Sequence, residues 1–195
     1  MRSTLRVLLI GYPQSKVRSF LERVEECSYI NGSETITLEK INSYNPDFIV
    51  LHGCHSILNA SIVARFPRRI VNLHGAFLPW NRGCHPNLWS FIEGTPKGGS
   101  VHFIDENVDQ GALIMRREIE VFPEDTLATT YSRVKSLMED MFIELWPSIR
   151  SGDVQTQLLE AHMGTYHSRN DISKVAHLLE KSGWNTRIAD LKISQ

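Results

Sequence analysis

Residues 71–83 read Val-Asn-Leu-His-Gly-Ala-Phe-Leu-Pro-Trp-Asn-Arg-Gly, and this stretch passes from an apolar segment into a loop. The pattern predicts a buried strand over 69–73 that runs into the loop. Because side chains alternate between the two faces of a strand, Asn72 and His74 point to one face and Leu73 to the other. The sequence therefore predicts an amide donor beside a titratable imidazole where the strand ends.

Two earlier apolar segments also predict buried strands. They are Leu5–Ile10 and Asp47–Leu51. Apolar residues at helical spacing over Ser15–Glu26, and a short segment at 59–65, predict helices between the strands. Strands that alternate with helices and are apolar on both sides indicate a parallel sheet covered on both faces.

Further elements follow the loop. The pattern predicts a helix over Pro86–Ile92 and strands over Ser100–Ile104 and Leu113–Val121. A long helix follows, which Asp125 caps and Pro147 ends or kinks. Residues 151–169 are expected to be irregular, and a short helix over Asp171–Lys181 is expected to end at Gly183. The long helix carries an apolar stripe at Leu127, Tyr131, Val134, Met138, Met141 and Leu145. We therefore predict an α/β fold with an open, mostly parallel, twisted, Rossmann-like sheet over 1–150, and a C-terminal extension over 151–195 packed on the same domain.

The composition is that of an ordinary soluble globular protein. The 195 residues carry 21 basic and 22 acidic side chains, so the formal net charge is −1 and no broad basic surface for nucleic acid is expected. Three cysteines without metal-knuckle spacing favour a reducing, cytoplasmic location. The N-terminus lacks the organisation of a signal peptide, and no apolar run approaches the roughly 18 residues of a membrane span.

Two predicted strands end in the same way, with Leu51-His52-Gly53 and Leu73-His74-Gly75. Ligands of open parallel sheets bind beyond the carboxyl ends of the strands, where the strand order reverses. One interpretation is that both histidines face a single crevice. The other is that each histidine is hydrogen-bonded locally at its strand end, which is the commoner state of polar groups near a core.

An acidic turn, Ile104-Asp105-Glu106-Asn107-Val108-Asp109-Gln110-Gly111, follows the predicted strand that holds His102. It fits either an ordinary surface turn or a loop that brings a carboxylate to His74. A carboxylate beside an imidazole orients the ring, fixes its tautomer and raises its pKa. The residues alone leave the two interpretations open.

Other chemistries have weaker support. The histidines at 52, 55, 74, 85 and 102 form no His-x-x-x-His pair on a predicted helix, so no metal site is expected. The segment Gly11–Ser15 lacks the glycine pattern of dinucleotide- or phosphate-binding loops, and no Gly-x-Ser-x-Gly motif is present. Cys84 lies beside His85, but adjacency in sequence is weak support for a catalytic dyad.

Several short motifs keep a definite order over roughly 47–125. They are Asn72-x-His74, Leu78-Pro79, the Gly83 turn, Gly98-Gly99 before the strand with His102, and Val108-Asp109-x-Gly111. Each is weak alone, but together they resemble the formyltransferases that use N10-formyltetrahydrofolate. The resemblance implies that residues 1–150 are a formyltransferase catalytic domain. One departure is Ala76, where many relatives carry a serine.

A second set of motifs points to a subgroup. Asn81-Arg82-Gly83-x-x-Pro86-Asn87-x-Trp89, followed later by Gly164-Thr165-Tyr166-His167 and Asp171, is similar to the sugar N-formyltransferases. The resemblance implies formyl transfer to the amine of a GDP- or dTDP-activated 3- or 4-amino-deoxysugar, for surface polysaccharide biosynthesis. Family members often pair, so the resemblance also suggests a homodimer. Two alternatives are another small amine acceptor, such as glycinamide ribonucleotide, and hydrolysis of formyltetrahydrofolate.

The resemblance also implies roles for individual residues. Asn72 and His74 would face the formyl oxygen, and Asp109 would pair with His74 and accept the amine proton, directly or through water. The pterin of the folate would lie against two loops, formed by His55, Ser56, Ile57 and Leu58 and by Asp105, Asn107 and Val108. The amino sugar would contact Trp80, Asn81, Arg82 and Asn87.

Three residues near the predicted site also have structural interpretations. Trp89 is expected in the core with its apolar neighbours, and His102 is expected to support the site from beneath. Arg82 fits equally well as a ligand for phosphate or carboxylate and as a tie between its loop and the body of the protein.

Overall fold

A computed structural model of the chain describes residues 4–191. The strands are β1 Arg6–Gly11, β2 Glu26–Asn31, β3 Phe48–His52, β4 Ile70–His74, β5 Arg82–Gly83, β6 Gly98–Phe103, β7 Leu113–Glu118 and β8 Tyr166–His167. The α-helices are α1 Lys16–Val24, α2 Leu38–Tyr44, α3 Ala60–Arg65, α4 Pro86–Ile92 and α5 Leu127–Ser151, and 3-10 helices cover Ala161–Met163, Arg169–Leu178, Gly183–Asn185 and Ile188–Asp190. The ends of the predicted segments 1–150 and 151–195, at residues 1–3 and 192–195, lie outside the described residues.

A six-stranded sheet has the order β2-β1-β3-β4-β6-β7. The first four strands are parallel, whereas β6 is antiparallel to β4 and β7 is antiparallel to β6. The strand order reverses at β1, because the chain first moves outward to β2 and then returns past β1 to β3. The predicted Rossmann-like, mostly parallel α/β fold is confirmed.

Strand side chains pack alternately on the two faces of the sheet. One face joins strands to α1 and α5 through Val7, Leu9, Val17, Leu21, Phe48, Val50, Val71, Leu73, Met138 and Trp146. The other joins them to the α2 and α3 side through Leu8, Ile10, Ile41, Ile49, Leu51, Ile62 and Ile70. Burial on both faces explains why these strands read as continuous apolar runs in the sequence.

The start of α5 differs from its prediction by one residue. Thr126 is the N-cap, and its side chain accepts a hydrogen bond from the N–H of Thr129. Asp125 instead fixes the turn before the helix, because its carboxylate accepts from the N–H of Phe122 at 2.8 Å and pairs with Arg133 at 2.8 Å. The predicted cap therefore stabilises the same helix start from the preceding position.

Pro147 was expected to end or kink the long helix. It does not end the helix, because α5 continues to Ser151. Trp146 and Ile149 are buried on either side of the proline, and Trp146 Nε1 donates to Glu25 at 3.1 Å. Tertiary packing therefore holds the last turns although the proline removes one helical N–H. Within residues 4–191, no helix has both the length and the apolar character needed to cross a membrane.

The elements β2 and α2 are among those that the sequence analysis did not predict. The predicted helix Ser15–Glu26 extends beyond the end of α1 at Val24, and β2 begins at Glu26. Only Ile30 of β2 is buried. The helix α2 buries only Ile41. The strand β2 lies at the edge of the sheet, and each of the two elements buries only one residue, which explains why sequence pattern alone did not reveal them.

The C-terminal segment is more ordered than predicted. Within the stretch expected to be irregular, β8 pairs in parallel with β5, so that Arg82 lies opposite Tyr166 and Gly83 opposite His167. The expected helix over Asp171–Lys181 is a 3-10 helix over Arg169–Leu178. A buried cluster ties this segment to α4 and to the start of α5; its members are Leu88, Trp89, Leu127, Val175 and Leu191.

Candidate active site

A cavity of about 760 Å³ opens at the carboxyl ends of the central strands. Tyr12, His52 and His74 stand at or just after the ends of β1, β3 and β4, and all three border the cavity. The strand order reverses here, which is where open α/β sheets bind ligands. Its volume is within the range of roughly 300–1,000 Å³ that is typical of small-molecule sites.

Asn72, His74 and Asp109 meet at the cavity. Asp109 Oδ1 accepts a hydrogen bond from Asn72 Nδ2 at 3.1 Å, and Asp109 Oδ2 lies 3.4 Å from His74 Nδ1. His74 and Asp109 are 6% and 8% exposed. The acidic turn is therefore a loop that brings a carboxylate to His74, which is one of the two interpretations that the sequence left open.

The backbone and His102 hold Asp109 in place. The N–H of Gly83 donates to Asp109 Oδ2 at 2.9 Å. His102 lies opposite Asn72 in the β4–β6 register, and its Nε2 is 3.2 Å from Asn72 Nδ2 and 3.5 Å from Asp109 Oδ1. Gly111 closes the turn, since a Cβ there would lie 1.9 Å from the Phe103 carbonyl oxygen.

Asp109 is a carboxylate at neutral pH. Burial opposes its charge, but His74, His102 and the N–H of Gly83 outweigh burial and hold the pKa of Asp109 well below its usual range. Burial lowers the pKa of His74, and Asp109 offsets part of that effect. Both ring nitrogens of His74 face acceptors, Asp109 and the carbonyl oxygen of Asn81 at 3.1 Å, and these two acceptors partly offset the effect of burial on the charged ring.

Seven residues predicted to hold the folate all border the cavity; they are His55, Ser56, Ile57, Leu58, Asp105, Asn107 and Val108. Ile57 is 74% exposed although it is apolar. An exposed isoleucine beside backbone groups offers a surface that a flat ligand can cover. The two predicted loops therefore come together on one cavity.

The predicted sugar-binding residues are placed differently. Trp80, Asn81 and Arg82 do not border the cavity, whereas Asn87 does. Arg82 Nη2 donates to the carbonyl oxygen of Ala161 at 3.3 Å, so Arg82 ties its loop to the C-terminal segment. From this loop, the cavity instead meets four residues: Gly83, Cys84, His85 and Pro86.

Asn81 and Asn87 already have protein partners. Asn81 is fully buried in a left-handed conformation (φ 54°), and its Oδ1 accepts from Thr95 Oγ1 at 2.6 Å. Asn87 Nδ2 donates to the carbonyl oxygen of Leu127 and to Thr130 Oγ1, both at 3.1 Å. These amides shape the loop and its contact with α5.

Glu93 connects the loop to β8. Its Oε2 accepts from Asn81 Nδ2 and Thr165 Oγ1, both at 2.8 Å, and its Oε1 lies 2.8 Å from His167 Nε2. The ring of His167 stacks on Trp89, with centroids 3.9 Å apart. Trp89 is thus part of the core, as expected, and the carboxylate of Glu93 joins the end of α4 to Asn81 and to the chain at 165–167.

A hydroxyl near Ala76 comes from another strand. Ala76 is buried, and its carbonyl oxygen accepts from Ser100 Oγ at 2.7 Å. The same Ser100 oxygen accepts from the N–H of Leu78 at 3.0 Å, next to the cis peptide bond of Leu78 and Pro79. Ser100 on β6 therefore fixes the turn after β4, beside the position where many relatives carry serine.

Sequence reasoning missed several residues of the cavity wall. The cavity is bordered by four residues that sequence reasoning did not assign to it: Tyr12, Tyr166, Arg169 and Trp184. Tyr131, which was predicted in the apolar stripe of α5, is 37% exposed and also borders the cavity. The hydroxyls of Tyr12 and Tyr131 are hydrogen-bonded to each other. Most of these residues lie outside regular periodic elements, so pattern gave no signal for them.

His52 borders the same cavity as His74 and is also bonded locally, so each of the two interpretations holds in part. Its side chain is fully buried, and its Nε2 lies 2.9 Å from Glu139 Oε1 on α5. Burial lowers the pKa of His52 despite this carboxylate. Within residues 4–191, no group of three or more histidine, cysteine or acidic side chains is arranged to hold a metal ion.

Comparison with known families gives a specific match. Residues 26–145 match the family model for formyl transferase. The crystal structure of the formyltransferase PseJ from Anoxybacillus kamchatkensis, in complex with UDP-4,6-dideoxy-4-formamido-L-AltNAc and tetrahydrofolate, is 38% identical with a TM-score of 0.87. The match covers 95% of this chain and 97% of that one.

Curated relatives share part of their length with this chain. The formyltetrahydrofolate deformylase of Haemophilus influenzae is 39% identical over 114 residues, which are 54% of this chain and 41% of the relative. The dTDP-4-amino-4,6-dideoxyglucose formyltransferase of Mycobacterium tuberculosis is 30% identical over 132 residues, 68% of this chain and 55% of the relative. The chain thus matches about half the length of these relatives.

Proposed function

Because this chain belongs to the formyl transferase family, we propose that it transfers the formyl group of N10-formyltetrahydrofolate to the amine of a nucleotide-linked amino sugar. The observation that carries the proposal is the meeting of Asn72, His74 and Asp109 at the floor of one cavity. The folate co-substrate is supported by the loops that border this cavity, and by the tetrahydrofolate in the PseJ complex.

The residues present suit acyl transfer to an amine. The amine nitrogen attacks the formyl carbon, the carbonyl oxygen becomes an oxyanion, and the bond from the formyl carbon to N10 then breaks. Asp109 accepts the amine proton, directly or through water, and passes the same proton to N10 as N10 leaves, which returns Asp109 to its carboxylate form. General base catalysis of this kind contributes about 10²–10⁴-fold in rate.

Asn72 stabilises the oxyanion by a hydrogen bond in this proposal, and His74 does so by its charge, because both of its ring nitrogens face protein acceptors. Charge that builds on His74 is matched by the carboxylate of Asp109. Both Nδ2 hydrogens of Asn72 have acceptors nearby, Asp109 and His102, so substrate must redirect one of them. Catalytic hydrogen bonds often reach their working geometry only in the complex with substrate. One hydrogen-bond donor to the oxyanion is worth roughly 10²–10³-fold in rate.

We propose a UDP carrier and an amine at C4, in place of the GDP or dTDP carrier that the sequence suggested. The support is the UDP-linked 4-formamido sugar bound by PseJ, which is similar over nearly its whole length. The Mycobacterium tuberculosis relative is named for a dTDP-linked sugar, but its match covers only 55% of its length. A role in surface polysaccharide biosynthesis and a homodimer stay predictions.

A substrate panel tests the proposed acceptor. The protein is incubated with N10-formyltetrahydrofolate and, separately, with UDP-, dTDP- and GDP-linked 4-amino-4,6-dideoxysugars and with glycinamide ribonucleotide. Mass spectrometry then detects the gain of one formyl group. We expect the highest kcat/KM for a UDP-linked sugar; turnover of glycinamide ribonucleotide alone would contradict the proposal.

Hydrolysis of formyltetrahydrofolate is a second candidate. The 39% identity to the Haemophilus influenzae deformylase over 114 residues favours it, since water would take the place of the amine. Release of formate without any acceptor, at a rate equal to that with the amino sugar, would support this candidate.

A further inference from the structure

We propose that His85, Arg169 and Trp184 form the subsite for the nucleoside diphosphate of the sugar substrate, an inference that rests on the proposed function. All three border the same cavity as the catalytic residues. His85 follows β5, and the other two belong to the C-terminal segment that β8 attaches to this loop. The three residues are called the nucleotide corner below.

The aromatic part of the corner is available to a ligand. Trp184 is 48% exposed, although its ring stacks on His85 with centroids 5.5 Å apart and planes 28° apart. Tyr166 borders the same cavity and is also 48% exposed. Exposed rings at a cavity are a surface on which a nucleobase can stack, because every base has an aromatic face.

The charge of the corner suits a diphosphate. Among the residues of 4–191 that border the cavity, Arg169 alone is a lysine or arginine. Its Nη2 donates to the carbonyl oxygen of His55 at 3.1 Å, which fixes the guanidinium while other N–H donors stay free to bind phosphate. Burial, Arg169 and His55 together lower the pKa of His85, as expected where basic groups converge.

The benzoylglutamate tail of the folate has the same chemistry, a ring followed by anions. Arg169 is bonded to the first predicted folate loop at His55, but the second loop carries Asp105 and Glu106 at the cavity, and this distribution of charge favours the nucleotide at the corner. Carboxylates suit the N–H donors of a pterin and repel an anionic group. The acidic loop and the nucleotide corner therefore divide the cavity between two substrates.

Calorimetric titration of the full chain with UDP alone tests the corner. Stacking of one base is worth about 1–3 kcal/mol, so Trp184→Ala is expected to weaken UDP binding roughly 5- to 150-fold. Arg169→Gln removes charge-assisted hydrogen bonds and is expected to weaken it at least about 10-fold. Arg23→Gln, at an exposed position in the last turn of α1, is the matched control and should leave UDP affinity unchanged.

Two further titrations identify the occupant. Trp184→Phe keeps a ring and should retain most of the affinity, which separates stacking from loss of fold. The inference is overturned if the corner belongs to the folate tail. In that case Trp184→Ala and Arg169→Gln leave the affinity for UDP unchanged but weaken the binding of tetrahydrofolate. The same two variants then leave the binding of tetrahydropteroate, which lacks the glutamate, unchanged. UDP binding that depends on the corner, without any formylated sugar, would support the subsite and contradict the proposed function.

Discussion

Asp109 has a left-handed backbone conformation (φ 51°) in the turn between β6 and β7. Its two oxygens accept from Asn72 and Gly83 and lie near His74 and His102. A buried carboxylate is costly unless hydrogen bonds and positive groups compensate it. The number of partners therefore indicates that this position is built to hold a negative charge next to His74.

We expect Asp109→Asn to lower kcat by about 10²–10⁴-fold, because the amide neither accepts the amine proton nor stabilises positive charge on His74. Steady-state kinetics with the amino sugar measure the change. Thermal unfolding of the same variant checks that it is folded, and Asp190→Asn, in the 3-10 helix Ile188–Asp190, is the remote control. A kcat within tenfold of the unsubstituted enzyme would show that Asp109 is not the base.

Single residues were predictable where a short-range rule applied. Strand alternation puts Asn72 and His74 on one face, and the motif around Asp109 identified the carboxylate. Asn81 was expected to contact sugar, but its buried amide bonds to Glu93 and Thr95 instead. Trp184 gave no signal, because its role depends on a stacking contact with His85, about a hundred positions earlier.

At the scale of elements, the pair β5 and β8 positions the catalytic loop. Gly83 in β5 donates to Asp109, and the carbonyl oxygen of Asn81 lies 3.1 Å from His74 Nε2. Gly83 has φ 89°, and a Cβ there would lie 2.2 Å from the His167 carbonyl oxygen, so only glycine allows this approach of β8. The C-terminal segment thus acts through the backbone on His74 and Asp109, the two side chains that we propose as catalytic.

Glu93→Ala is expected to lower kcat about 10-fold or more while the KM for formyltetrahydrofolate changes little, because it releases Asn81, Thr165 and His167 together and leaves the folate loops intact. Glu93→Gln keeps one acceptor oxygen and should lose less. Kinetics with both substrates varied provide the test. An equal loss in the two variants, or a change in KM alone, would contradict a positioning role.

The start of α5 predicts a pH-dependent stability. Arg133 holds the pKa of Asp125 well below its usual range, with help from the N–H of Phe122 and the hydroxyl of Thr129. A carboxylate with a lowered pKa in the folded state adds stability above its unfolded pKa of about 3.9 and loses it as the pH falls further. Asp125→Asn should therefore lower the unfolding midpoint at pH 7, and the difference should shrink below about pH 4.

Thermal unfolding of both proteins at several pH values between 7 and 3 measures this difference. Asp153→Asn, at an exposed position beyond α5, serves as the control and should show little change at any pH. A difference for Asp125→Asn that is the same at every pH would contradict the ionic explanation.

Elements were predictable from the sequence when they bury a regular face. The strands β1, β3 and β4 are buried along almost their full length and were found. The edge strand β2 and the two-residue strand β8 bury few side chains, and β8 depends on pairing with a partner more than eighty positions away. Their stability comes from long-range contacts, which local pattern does not encode.

For the whole molecule, the order of the strands places the chemistry. Reversal of strand order at β1 leaves a crevice at the carboxyl ends of β1, β3 and β4. The antiparallel strands β6 and β7 then bring His102 and Asp109 back to β4. The sequence predicted this architecture through the alternation of strands and helices. The division of the cavity that we propose, into folate and nucleotide regions, depends on the C-terminal segment.

The central claim is that this site moves a formyl group from folate to a sugar amine. The most direct measurement follows N10-formyltetrahydrofolate labelled with carbon-13 at the formyl carbon, by NMR, during incubation with a UDP-linked 4-amino-4,6-dideoxysugar. We expect the labelled signal to become that of a formamide on the sugar. A signal that appears only as free formate, or that stays on the folate, would contradict it.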